Sequence, residues 1–244
     1  MSSSVPEVRV ISIGALAAHP MRGERAPVRT GHSTTTLITA GDARILVDPG
    51  LPGPAIVARL EERAGLSPEQ ITHVFLTSFH PETRRGLEAF PDATWMLSET
   101  ERESVGVPIV ESLKRIGETV RDAQAAGEEL DEDQETMLRV LKRDVAILQR
   151  TQAAPDSLAP GVDLFPLPGL TPGLTGLLVL RPSGDILICA DAIPTVEHLE
   201  QGKVLQSAAD VDQARESFQE AIEIADLLVL GRDNMVVNPT KRPF

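Results

Sequence analysis

An α/β sandwich of four layers, ordered αβ/βα and carrying an inserted helical hairpin, is the fold class this sequence predicts. Three observations lead there. Each half of the chain runs strands first and an amphipathic helix after them, which gives two sheets that each need one covering layer. Two long apolar helical stripes sit between the halves. The 244 residues suffice for a full core, so residues 1–244 are expected to form a single domain.

Residues 8–16 read as the first strand. Residues 33–39 and 43–47 read as a strand pair joined by the turn signal Gly41-Asp42, and Asp48-Pro49-Gly50 ends the second of them. Residues 54–64 carry Ile56, Val57 and Leu60 at helical spacing, with Gly65 as the stop. Ser67-Pro68-Glu69-Gln70 has the form of a capping box with Pro at the first helical position, predicting a short helix. The run 73–77 is a buried strand, and 94–97 is another.

Residues 99–152 form the predicted insertion. Ile109, Leu113, Ile116 and Val120 make one stripe; Leu138, Leu141, Val145 and Leu148 make the second. Gly127 and the acidic run 128–133 separate them as a solvated turn. This hairpin is a candidate edge brace, a lid, or the contact of a homodimer. The second half, from Asp163, offers a hairpin of 176–180 and 185–190, a helix over 211–225 and a last strand at 227–230. The tail 237–244 reads as an extension.

Composition narrows the function classes. A hydrophobic fraction of 41% with 24% charged residues is that of an ordinary globular chain, and no stretch reaches the length of a membrane span. A formal charge of −13 argues against nucleic acid, whose phosphates need clustered Lys and Arg. The single cysteine, Cys189, allows no internal disulfide and reads as an inert core thiol. With no basic and apolar leader at the N-terminus, the expected location is cytoplasmic.

The informative segment follows the strand 73–77. It reads Thr77-Ser78-Phe79-His80-Pro81-Glu82-Thr83-Arg84-Arg85-Gly86-Leu87. Further on come Pro168-Gly169-Leu170-Thr171-Pro172-Gly173, then Ala190-Asp191-Ala192, then Gly231-Arg232-Asp233. Taken in this order, and with Asp48-Pro49-Gly50, these motifs resemble the metallo-β-lactamase superfamily over residues 8–100 and 160–235. That family's loops read Thr-His-x-His-x-Asp-His before Gly-Leu, then Pro-Gly-His-Thr-Pro-Gly, Gly-Asp-Ala and Gly-His-Gly. The resemblance implies a hydrolase fold whose imidazoles and carboxylates hold two zinc ions about 3.5–4 Å apart.

Set on the resemblance, the ligand set is degenerate. The first His is Ser78, the second is kept as His80, the Asp is Glu82 and the third His is Thr83. Leu170 replaces the next His, Asp191 keeps the bridging carboxylate, and Arg232 replaces the last His. Asp48 matches a position that orients the metal loop from behind the ligands. The expected pocket at the former metal site is therefore Ser78, His80, Glu82, Thr83, Leu170, Asp191, Arg232 and Asp233.

A guanidinium beside Glu82 and Asp191 would pair with both and stand in for the dication. The first expectation is therefore a ligand-binding or scaffolding relative that has lost dinuclear zinc catalysis and has no cofactor. Its partner would be a small molecule or a protein. A second is an active hydrolase with one divalent ion, Mn, Fe or Zn, on His80, Glu82 and Asp191, with Asp233 as a further candidate ligand. A third uses Ser78 and His80 with a carboxylate and no metal. His19 and His198 read as surface or loop residues, and Trp95 as core.

Overall fold

The computed structural model describes residues 5–126 and 131–241. The first half forms β1 (Glu7–Ser12), β2 (Thr35–Ala40), β3 (Ala43–Val47), α1 (Gly53–Ala64), β4 (His73–Leu76) and β5 (Thr94–Leu97). The insertion is α2 (Glu99–Ala126) and α3 (Glu132–Arg150). After it come β6 (Gln152–Ala153), β7 (Ser157–Ala159), β8 (Val162–Pro166), β9 (Thr175–Val179) and β10 (Ile186–Ala190). The chain closes with α4 (Val196–Gln201), α5 (Val211–Ile224), β11 (Leu227–Leu230) and β12 (Met235–Val237).

The strands make two six-stranded sheets, in the orders β1-β2-β3-β4-β5-β6 and β12-β11-β10-β9-β8-β7. Their apolar runs are near-continuous because both faces of each sheet are covered. On the first sheet Ile38, Ile45, Val47 and Phe75 face inward, where they meet Leu177, Val179, Ile186, Ile188 and Val229 of the second. The alternate residues Leu37, Leu46, Val74 and Trp95 face outward onto Ile56 and Leu60 of α1 and Ile147 of α3. On the other side Leu187, Cys189, Leu228 and Leu230 pack under Phe218 and Ala221 of α5. Each of the Val, Leu, Ile and Phe side chains among them contributes about 1.5–3 kcal/mol by leaving water. This is the αβ/βα sandwich the sequence predicts, with the hairpin laid on its first outer face.

Several local expectations need correction. The first strand stops at Ser12, and Ala15 only bridges to His32. Ser67–Gln70 keeps its capping box but makes a single 3-10 turn rather than a helix. The second half begins earlier than Asp163, with β7, and α4 and β12 are additional elements. Gly65 ends α1 with φ of 64°, as a left-handed glycine stop should. Asp131 caps α3 by accepting from the Gln134 amide at 2.7 Å. The turn expected around Gly127 lies largely outside the described residues, as do the last residues of the tail.

β3 and β4 are parallel, and so are β10 and β11. Their carboxyl ends open on one edge of the sandwich, where loops carry ligand sites in α/β folds. The Thr175 amide donates to the Thr77 carbonyl at 3.0 Å, joining the two sheets at that edge.

Candidate functional site

Four strand ends deliver the polar groups: β3 gives Asp48, β4 leads into residues 77–86, β10 gives Asp191 and β11 gives Arg232. Two non-glycine residues here hold positive φ, Asp48 at 48° and Ala190 at 50°. Left-handed backbone costs an L-residue roughly 1–2 kcal/mol, so strain is concentrated at this edge. A β-carbon on Gly231 would run into the Ala190 carbonyl and the Asp191 carboxylate, so only glycine lets Arg232 come this close.

Arg232 is buried, and its guanidinium is divided between two acids. Nε donates to Asp191 Oδ1 at 2.7 Å and Nη2 to Oδ2 at 2.6 Å, a bidentate fork. Nη1 donates to Glu82 Oε2. Burial alone would push the Asp191 carboxyl up, but the Arg232 charge outweighs it and holds the group below its ordinary value. Burial likewise works against the guanidinium, yet Asp191 and Glu82 leave it more firmly charged than a free arginine.

Asp48 lies behind this triad, buried, and accepts from Thr77 twice, from the amide at 2.8 Å and the hydroxyl at 2.6 Å. Burial raises its carboxyl to about 7, against the pull of those hydrogen bonds. His80 is exposed, and its Nδ1 accepts from the Glu82 amide at 3.2 Å. Partial desolvation of the ring, then the Arg232 charge, keep it below an ordinary imidazole.

A cavity of about 730 Å³ opens in front of these residues. Of the predicted site residues, His80, Glu82, Leu170, Asp191 and Arg232 line it. The other three are placed elsewhere. Ser78 is fully buried, and its Oγ has no hydrogen-bond partner among the described residues. Thr83 turns inward and donates to the carbonyls of Ser78 and His80, both at 2.8 Å. Asp233 accepts from the Asn234 amide at 2.8 Å and the Val196 amide at 3.3 Å, at the start of α4.

Two groups of residues escaped the sequence reading. Glu101, in the first turn of α2, is fully buried and accepts from the Phe79 amide at 2.9 Å, Thr171 Oγ1 at 2.7 Å and the Gly173 amide at 3.2 Å. It thereby ties both site loops to the insertion, and a β-carbon on Gly173 would strike its backbone. From α3, Asp144 pairs with the buried Arg84 at 2.8 Å, and Arg84 Nε donates to the Phe79 carbonyl at 3.0 Å. The second group corrects the surface reading of His19 and His198: both are buried, with ring centres 5.7 Å apart. Thr195 and Glu197 bridge them.

The family model described as the metallo-beta-lactamase superfamily matches residues 28–230. The chain belongs to that family. Similar solved structures include a protein assigned to the metallo-β-lactamases from Thermotoga maritima, 18% identical over 96% of this chain and 100% of the other, with a TM-score of 0.65. AidC, a dizinc quorum-quenching lactonase, is 21% identical over 78% of this chain and 67% of its own, at 0.58. The hydrolase AbOPH is 16% identical over 99% and 94%, at 0.59. At these identities the likeness is one of fold. No curated protein sequence matches the chain.

The residues present do not fit the family's metal centre. Both acids that survive from the ligand set are already engaged by Arg232, and His80 Nδ1 by the Glu82 amide. Leu170 contributes hydrocarbon to the wall, where a metal would need a donor. Among the described residues no three His, Cys, Asp or Glu side chains converge as a metal group.

Proposed function

We propose that this chain is a ligand-binding member of the hydrolase family, in which an arginine–carboxylate bridge has replaced dinuclear zinc catalysis. One observation carries the reading: the Arg232 guanidinium spans Asp191 and Glu82, two acids that would otherwise repel each other across the site. A dication and a guanidinium answer the same electrostatic need, but only the first activates a water. The cavity retained beside this closed charge cluster suits a small molecule. A single-ion hydrolase on His80, Glu82 and Asp191 would require Arg232 to give up both acids, leaving its own buried charge unpaired.

The reading is tested by melting the chelator-treated protein with and without Zn²⁺, Mn²⁺ or Fe²⁺. An ion bound only by the native state raises stability by about 2.7 kcal/mol at one hundred times its Kd. The expected result is no rise in Tm with any ion, together with no metal-dependent hydrolysis of lactone or phosphoester substrates. A saturable rise that disappears in Asp191→Ala would overturn it.

A further inference from the structure

The protonation pattern of two cavity histidines follows from their neighbours. Glu197 is ionised: burial pushes its carboxyl up, but backbone hydrogen bonding and Arg22 outweigh that and bring it to about 2. An ionised carboxylate can only accept. The one proton of the Thr195 hydroxyl is therefore directed to Glu197 Oε2, at 2.9 Å. Thr195 Oγ1 then has only lone pairs to offer its other neighbours, His198 Nδ1 at 2.9 Å and His19 Nε2 at 3.2 Å. Both of those nitrogens must carry protons.

For His198 this decides the tautomer. Burial, and next the neighbouring His19, hold its ring below an ordinary imidazole, so it is neutral with its single proton on Nδ1. Nε2 is left as a bare lone pair. The residue is only 3% exposed, it lines the cavity, and Nε2 has no hydrogen-bond partner among the described residues. His80 is set the opposite way. Its Nδ1 accepts the Glu82 amide, so its ring proton sits on Nε2. One imidazole presents an acceptor and the other a donor. Leu16, Met21, Leu170, Val204 and Leu205 supply apolar wall.

We propose that this cavity binds a neutral amphipathic molecule bearing a hydroxyl or primary amide. Its proton is accepted by His198 Nε2, its oxygen is met by the His80 Nε2 proton, and its chain lies on the apolar wall. Lys203 also lines the cavity, and its ammonium bonds only Gln201 among the described residues. With Arg232 it offsets the two acids, so the preference for a neutral group rests on the His198 lone pair, to which an anion has no proton to offer. Thr195 and Glu197 act as positioning residues that hold the His198 tautomer. The assignment rests on the cavity being a ligand site rather than a metal centre.

The test uses the whole chain, chelator-treated and carrying ¹⁵N-labelled histidine, with 1-hexanol, hexanamide and hexanoate as probes. The ring nitrogens are expected to report His198 protonated at Nδ1 only and His80 at Nε2 only. Hexanol and hexanamide should shift the His198 Nε2 resonance saturably, and hexanoate should bind roughly tenfold more weakly, the effect of one unmet polar contact. Thr195→Val should release the tautomer and weaken hexanol, but the wild-type resonances and probe ranking decide the matter whether or not that variant folds. A proton on His198 Nε2, equal binding of hexanoate, or no probe binding would overturn the ligand class. Stoichiometric metal uptake would instead overturn the reading of the site beneath it.

Discussion

Arg232 grips Asp191 with both edges of its fork, at 2.7 and 2.6 Å, and its remaining arm holds Glu82. The two acids come from different halves of the chain, so this side chain ties one sheet's loops to the other's. In this family two metal ions commonly make that link, through imidazoles and carboxylates together. Here a monovalent cation makes it with carboxylates alone, and the hydrocarbon of Leu170 completes the wall.

Removing that cation strands its partners. Arg232→Ala should lower stability by about 3–5 kcal/mol at neutral pH, as for one side of a buried pair. In the wild type the Asp191 carboxyl is depressed, so its contribution is present above its unfolded pKa and lost as pH falls through the folded one. The deficit of the variant should therefore shrink in acid, as the Asp191 carboxyl protonates. Urea unfolding of both proteins from neutral pH to well below the unfolded Asp value of about 4 measures this. A deficit independent of pH would contradict it.

Glu101 should prove as important as any residue lining the cavity. Its carboxylate satisfies the Phe79 and Gly173 amides and the Thr171 hydroxyl. Glu101→Ala leaves the two amides buried and unmet, at a cost on the order of 3 kcal/mol. Amide hydrogen exchange at Phe79 and Gly173 should accelerate more than exchange at Leu187, in the core of the second sheet.

Asp48 predicts a pH slope of the opposite sign. Its folded pKa, about 7, stands above the unfolded value, so the folded state holds the proton more tightly. The stability this gives is fully present below the unfolded pKa near 4 and lost as pH rises through about 7. Asp48→Asn, which stays neutral throughout, should gain on the wild type between pH 5 and pH 8. A constant difference in Tm across that window would show that Asp48 does not titrate there.

The layers were legible because covered sheets force long apolar runs: Ile45, Leu46 and Val47 alternate between two cores. The cluster around Arg232 was legible because its motifs keep their order even where the ligands change. Glu101 was not, since an acid in a helix's first turn is ordinarily a solvated partner of the helix dipole. Its burial arises only because Gly173, far off in sequence, lets a loop pack on that turn. The His198 network was hidden for a related reason. α4 has six residues, too few for a periodicity, and Thr195, Glu197 and His198 meet His19 only through the fold. β6, β7 and β12, at two or three residues each, likewise leave no alternation to read.

With Arg232 in the electrostatic role of the metals, the site has no carboxylate left among the described residues to hold an ion. The most direct measurement is elemental analysis of untagged, chelator-treated protein after loading with Zn²⁺, Mn²⁺ or Fe²⁺, quantified per chain. The expected result is metal far below one equivalent for every ion. One or two tightly held equivalents per chain would contradict it.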